Sequence, residues 1–406
     1  MKKFYAIIVV LLVGAASLWA ELPPRIFEFG FKTGAGFANS YIGATEIFKK
    51  TIEIDLTQEP KPLYFDFGAD FDFFININIK DKMGFGLFSG LDAQGQFGLS
   101  EDIQKFLLGN EHNKTYEGDI GAGGAVFMEV GVHGYFHVEK FKITVRPAYY
   151  FPAAYMKPNS HYKLVTSETG EVYADFEYDF ALYTPFDLGD DLDSLNFNNL
   201  DPSNIAGRGG VDLVAAVDYQ IFPKLSVGAS VSHIPIFPAQ LVNKTVIKGG
   251  KHLESDDLIN ELIDGGDIES LLKDKTVDSS HDAIQIFRPF KFGINAAYTP
   301  FGFKVFSLSL IPQIGYAYNA IYVKPHSFEG TLKIRLGLFN IIRSNPLLAF
   351  TLSTGYEDKV WRHGIDFALN LRAMQLDVGA AVQSENFVNS FKGAGVDVSV
   401  GLRFGW

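Results

Sequence analysis

Residues 63–80 read Leu-Tyr-Phe-Asp-Phe-Gly-Ala-Asp-Phe-Asp-Phe-Phe-Ile-Asn-Ile-Asn-Ile-Lys. Phe65, Phe67, Ala69, Phe71, Phe73, Ile75, Ile77 and Ile79 alternate with Asp66, Gly68, Asp70, Asp72, Phe74, Asn76, Asn78 and Lys80. Successive side chains of a strand point to opposite faces, so the alternation predicts one strand, apolar on one side and polar on the other. It outruns the usual globular strand of about five or six residues. A strand crossing a bilayer needs about nine to eleven tilted residues and can extend past it. Lipid on one face and water on the other fit this pattern.

The last residues repeat it. Val396, Val398, Val400, Leu402, Phe404 and Trp406 alternate with Asp397, Ser399, Gly401, Arg403 and Gly405. A terminal alternating strand ending on an aromatic is the kind of signal read by the β-barrel assembly machinery. Comparable segments occur at 85–97, 120–138, 141–156, 172–183, 211–221 and 225–237, then at 290–299, 303–318, 328–339, 347–356, 361–372 and 376–383. Together they predict an all-β, transmembrane antiparallel barrel of about 14 strands, an even count as such barrels have. Short turns near 81–84, 139–140 and 223–224 contrast with long loops near 99–119, 184–210 and 238–283. Short periplasmic turns and long outer loops are expected of this architecture. The last long loop carries two expected helices, 255–263 and 267–273, each opened by a capping Ser or Asp.

Composition agrees. The chain has 40 Gly, 38 Phe and 18 Tyr, yet a mean hydropathy of only +0.08. A net charge of −12 argues against nucleic acid as a partner. No cysteine is present, which excludes a lipidated cysteine, a disulfide and a thiol nucleophile. At the start, Lys2 and Lys3 precede an apolar run and the small residues Gly14, Ala15, Ala16 and Ser17. Residues 1–20 are therefore expected to be an export signal, cut after Ala16 or after Ala20, for delivery to the bacterial outer membrane. The remaining expected parts are a plug over 21–62 and a barrel over 63–406.

The plug expectation rests on small residues, Gly34, Ala35, Gly36, Ala38, Ser40, Gly43 and Ala44, which let backbone lie close to a wall. The competing reading makes 26–37 a first strand with Phe27, Phe29 and Phe31 on one face. Here Gly30-Phe-Lys-Thr-Gly-Ala-Gly-Phe-Ala-Asn39, with Ile52-Glu-Ile-Asp-Leu56 and Phe85-Gly-Leu-Phe88, resembles the FadL-like outer-membrane long-chain fatty acid transporters, in a divergent spirochaetal branch. The resemblance implies a fourteen-stranded barrel with an N-terminal hatch and passive uptake of long-chain fatty acids or other hydrophobic compounds. It places Gly34, Gly36, Phe37 and Asn39 in the hatch. The family's Asn-Pro-Ala signature is absent, because Asn39 is followed by Ser40.

On the polar faces, Arg335, Arg362 and Arg372 are candidates to hold a ligand carboxylate, since arginine suits bidentate contacts. Arg403 is expected to face Asp66, Asp70 and Asp72 across a closing seam completed by Trp406. Lys142 and Arg146 are expected to face the acids of 175–179. Glu129, His133 and His137 share a face, but four residues along a strand is about 13 Å, too far for one metal ion. No catalytic constellation, cofactor or metal is expected. The function readings are a channel for hydrophobic compounds, a porin-like channel for small polar solutes, and a surface interaction or adhesin barrel. The expected partners are outer-membrane lipids, the assembly machinery and a hydrophobic ligand.

Overall fold

The computed structural model describes residues 25–40, 63–79, 82–102, 105, 113–157, 160–168, 172–185, 207–253, 276–322, 325–340, 346–371 and 373–406. The export signal, the two loop helices, Arg372 and residues 41–62 of the expected plug lie outside these residues.

In chain order the strands begin with β1 (Phe27–Asn39), β2 (Leu63–Ile79), β3 (Met83–Leu99), β4 (Thr115–Val138) and β5 (Phe141–Lys157). Next come β6 (Ser160–Thr166), β7 (Val172–Thr184), β8 (Gly210–Phe222) and β9 (Leu225–Phe237). The long loop holds β10 (Ala239–Leu241), β11 (Asn243–Leu253), β12 (Thr276–Ser280) and β13 (Ile284–Ile286). The rest are β14 (Phe290–Gly302), β15 (Phe306–Tyr318), β16 (His326–Leu338), β17 (Leu348–Glu357), β18 (Val360–Asn370), β19 (Met374–Ser384) and β20 (Gly395–Gly405). A short helix, α1 (Phe387–Phe391), sits between the last two.

Fourteen of these strands close a ring in which every neighbour is antiparallel: β1, β2, β3, β4, β5, β8, β9, and then β14 through β20 back to β1. The chain is a transmembrane β-barrel of the outer-membrane type. Its apolar rows face outward, and Phe67, Ile314 and Phe328 are 59%, 65% and 81% exposed there. That belt is costly in water and suited to lipid. No described helix is long and apolar enough to cross a membrane; the barrel crosses with strands.

The hatch expectation for Gly34, Gly36, Phe37 and Asn39 is corrected. These residues lie on β1, which is part of the wall and pairs with β2 from Phe27 to Asn39 and with β20 from Glu28 to Ala38. The competing first-strand reading holds for them. Phe27, Phe29 and Phe31 stand opposite Ile77, Ile75 and Phe73 and continue the lipid-facing row. The small residues Gly30, Gly34 and Gly36 fall on the inward row. Without β1, the edges of β2 and β20 would be left with open hydrogen-bonding groups.

The strand count still comes to fourteen, because the 172–183 segment is not in the wall. As β7 it pairs with β6 and β11, and with β5 only at Tyr155–Lys157. β4 outruns the barrel, and its outer end pairs with β6. β6, β7, β11 and β12 thus form a sheet raised on the β4–β5 side of the outer rim. Alternation alone does not tell such a strand from a wall strand.

The seam expectation is corrected as well. β1 stands between β20 and β2, so Arg403 is level with Gly30 and Phe74 rather than with the aspartates. The Cα partner of Asp72 is Lys32. Trp406 does close the ring, but on Phe27: its N–H donates to the Phe27 carbonyl at 3.1 Å and the rings lie 4.9 Å apart. Lys142 faces Asp218 of β8, not the acids of β7. Pro152 and Pro235 lie at bulges in the β4–β5 and β8–β9 ladders, whereas Pro147 and Pro312 stay in register with Leu213 and Leu332, and the pairing around the ring is unbroken.

Candidate functional site: the lumen

Ladder register fixes which side chains enter the lumen. With Phe350, Leu352 and Ile365 outward, the inward residues are Lys333 and Arg335 of β16, Thr351 and Ser353 of β17, Arg362 and Asp366 of β18, and Asp377 of β19. A cavity of ≈ 1000 Å³ lies toward the short-turn end. Its lining holds six cations, Lys32, Arg146, Lys333, Arg335, Arg362 and Arg403, against four acids, Asp72, Glu357, Asp366 and Asp377. A basic excess inside a chain of net charge −12 is a local feature, not a consequence of composition.

The six cations are not equivalent. Arg146 bonds Glu129 at 2.6 Å, lies 3.6 Å from Asp72 and covers the Phe88 ring at 3.7 Å. Arg362 is paired with Asp397, two strands away, and not with Asp366. Lys32, Lys333, Arg335 and Arg403 form no ion pair among the described residues. The ladder sets Arg335 between Ser309 and Thr351, and Lys333 between Ile311 and Ser353, so both cations have uncharged neighbours. Apolar side chains share the cavity: Phe74, Val214, Ile311, Ala349 and Ala368. The Arg403 guanidinium lies 5.5 Å from the Phe74 ring centre. Of the sequence candidates, Arg335 and Arg362 therefore share this cavity.

Toward the long-loop end is a smaller cavity of ≈ 320 Å³ with the opposite sign. Asp66, Asp70, Asp92, Glu357, Asp358 and Asp397 line it against Lys291 and Arg362. Arg362 touches both cavities, so its pair with Asp397 lies at their junction. Lys291 is tied to Asp358 at 2.6 Å and to Glu329 at 3.6 Å.

Glu385, in the outer turn before α1, lies beside this acidic cavity. Burial, then the neighbouring Asp66 carboxylate, push its carboxyl up to about 9. The folded protein thus holds a proton that the unfolded chain releases near 4.5. Stability is fully present below that value and declines as pH rises from about 4.5 to about 9. Glu385→Gln imitates the protonated carboxyl. It should flatten this decline and raise the thermal midpoint at pH 8 by a few degrees over the parent, with little change at pH 4. A parallel shift at both pH values in thermal melts of the detergent-solubilised barrel would contradict the assignment.

The outer mouth is filled from a direction that the sequence reading missed. Tyr150 of β5, Phe127 of β4, Leu241 of β10, Ile286 of β13 and Ile321 form a buried apolar cluster. Arg288, just past β13, enters the lumen and bonds Asp212 of β8 twice at 2.7 Å, and also Glu129 of β4. Burial pushes the Tyr322 phenol well above its ordinary value, and the Lys359 ammonium sits 4.7 Å from its ring centre. Nothing in the spacing of Phe287-Arg288-Pro289 marks it as a lumen element; its nearness to the start of β14 is the only hint.

No family model and no curated protein matches the sequence. In fold the chain is similar to the toluene transporter TodX of P. putida, at 6% identity over 95% of this chain and 91% of that one, with a TM-score of 0.43. It is also similar to a Pseudomonas aeruginosa FadL homologue, at 7% identity over 94% and 90%, with a TM-score of 0.42. A third likeness is the translocator domain of the autotransporter NalP from Neisseria meningitidis, at 6% identity over 100% and 97%, with a TM-score of 0.38. These likenesses concern the barrel architecture alone.

Proposed function

We propose that this chain is a passive outer-membrane channel for organic acids, with amphipathic carboxylates such as fatty acids at the apolar end of its range. One observation supports the reading: Lys333, Arg335 and Arg403 face a ≈ 1000 Å³ cavity without an ion-pair partner among the described residues, beside Phe74, Val214 and Ile311. A carboxylate satisfies the cations, and an alkyl or aryl body covers the apolar side. Delivery to the outer membrane would follow removal of residues 1–20. Arg335 is the leading ligand-binding residue. Arg362 is second, because Asp397 already engages it.

A second reading, a porin-like channel for small polar solutes, is favoured by the acidic outer cavity, which gives the passage charged walls of both signs. Proteoliposome uptake separates the two. Octanoate should enter faster than a neutral sugar and saturate. Arg335→Ala should weaken its apparent affinity roughly ten- to a hundredfold, the loss expected for a hydrogen bond to a charged group. Equal, unsaturable entry of sugar and octanoate would favour the porin-like reading instead.

A further inference from the structure

We propose that the outer mouth is a gate made of two loop segments and latched by Arg288. The inference rests on the channel reading only in supposing that the blocked passage has to open. The first segment is the pair β10–β13, joined from Ala239–Ile286 to Leu241–Ile284. It is held against the inner wall by the Tyr150 hydroxyl, which donates to the Ile286 carbonyl at 3.0 Å, and by Arg288. The Arg288 side chain is 4% exposed, is bonded to carboxylates of β8 and β4, and lies 5.1 Å from the Tyr150 ring centre on β5 between them.

The second segment, 319–322, leaves the outer end of β15. Asn319 donates to Gln94 of β3 at 2.6 Å. Around the ring these strands are six steps apart one way and eight the other, so the segment crosses the mouth. Ile321, 2% exposed, ends in the same apolar cluster as Ile286 and Leu241. The two segments therefore meet each other and the β3–β5 wall over the lumen.

The holding forces suit a latch more than a permanent wall. Neither segment adds a strand to the barrel ladder. The first is pinned by one guanidinium, one tyrosine hydroxyl and a backbone bond from Gln240 to Arg208, and among the described residues the second has a single side-chain hydrogen bond to the far wall. A buried ion pair gains little net stability over apolar packing, but removing one partner leaves uncompensated charge behind. Loss of Arg288 would leave Asp212 with His233 alone and Glu129 with Arg146 alone and would loosen the β10–β13 pair, while the fourteen-strand ring keeps all its ladder bonds.

The chain lacks cysteine, so a single lumen thiol reports access cleanly. Ser353→Cys in the inner cavity is labelled by a membrane-impermeant charged maleimide, added to vesicles whose inserted barrels present the long loops outward. Arg288→Ala on this background should label at least tenfold faster than the Arg288 protein. Asn319→Ala, which removes the cross-mouth bond and the Oδ1 that accepts from the Ile321 N–H at 3.3 Å, should also label faster and serves if Arg288→Ala fails to insert. Folding is checked by heat-modifiable mobility in gels. Unchanged labelling in a folded Arg288→Ala or Asn319→Ala protein overturns the gate. Faster labelling without octanoate uptake supports the gate and counts against the substrate reading instead.

Discussion

Exchanging Lys333 and Arg335 together for glutamate should shift the cation-over-anion preference of the open channel by roughly a hundredfold. Both side chains sit on the inward row of β16, and their ladder neighbours Ser309, Ile311, Thr351 and Ser353 carry no charge that would offset the change. The exchange turns a cavity lining of six cations and four acids into four cations and six acids. At about 6 Å in water each unit charge acts on a passing monovalent ion with ~0.7 kcal/mol, and the double exchange changes four units. A Debye length of about 10 Å at 0.1 M salt removes roughly half of that sum. What remains, ~1.5 kcal/mol, is about one factor of ten for each ion, in opposite directions for a cation and an anion, and so about a hundredfold in their ratio. The check is the reversal potential of the reconstituted channel across a salt gradient, with the Arg288→Ala background used to hold the mouth open. A glutamine pair should give about half the shift. An unmoved reversal potential in a folded, conducting double variant would mean that ions do not pass along β16, and the carboxylate site would have to be sought elsewhere.

Legibility of this protein in its sequence follows from what each pattern responds to. The wall was legible because lipid imposes period two on every membrane strand, as 63–80 and 395–405 show. The lumen cations were legible for the same reason: once Leu332 and Ile334 point to lipid, Lys333 and Arg335 point inward. The N-terminal segment misled because its glycines suit a plug as well as an inward row, and the Phe27, Phe29 and Phe31 alternation decides between them only when β2 and β20 are seen to need a partner. The 172–183 segment misled in the other direction, since β7 alternates like a wall strand but pairs with β6 and β11 outside the ring. The mouth was not legible at all. Arg288 and Asn319 act through partners 76 to 225 positions away in the chain, and no local pattern encodes such a pairing.

Gly30→Val should prevent the barrel from closing, with loss of the heat-modifiable folded band and of its resistance to protease. Gly30 lies at the seam, level with Arg403 of β20 on one side and Phe74 of β2 on the other. A Cβ there would stand 2.5 Å from the Leu402 carbonyl oxygen and 3.0 Å from both the Arg403 Cα and the Phe74 ring. Two of these three atoms are backbone of the partner strand, which cannot move aside without opening the β1–β20 ladder that runs from Glu28 to Ala38. Overpacking by itself costs about 1–3 kcal/mol. Each ladder bond lost adds about 1 kcal/mol more, and in lipid the freed groups find no water. Alanine at the same position should lower the folded yield without abolishing it. Gly68 supplies the control: it too faces inward, on the adjacent strand, but a Cβ there meets nothing nearer than the Ala93 carbonyl at 3.9 Å, so Gly68→Ala should assemble like the parent. If Gly30→Val instead assembled as well as Gly68→Ala, β1 would not be the closing strand. Residues 27–39 would then be free to serve as a hatch, and the barrel would have to close β20 directly onto β2, with Arg403 facing the Asp66–Asp72 row after all.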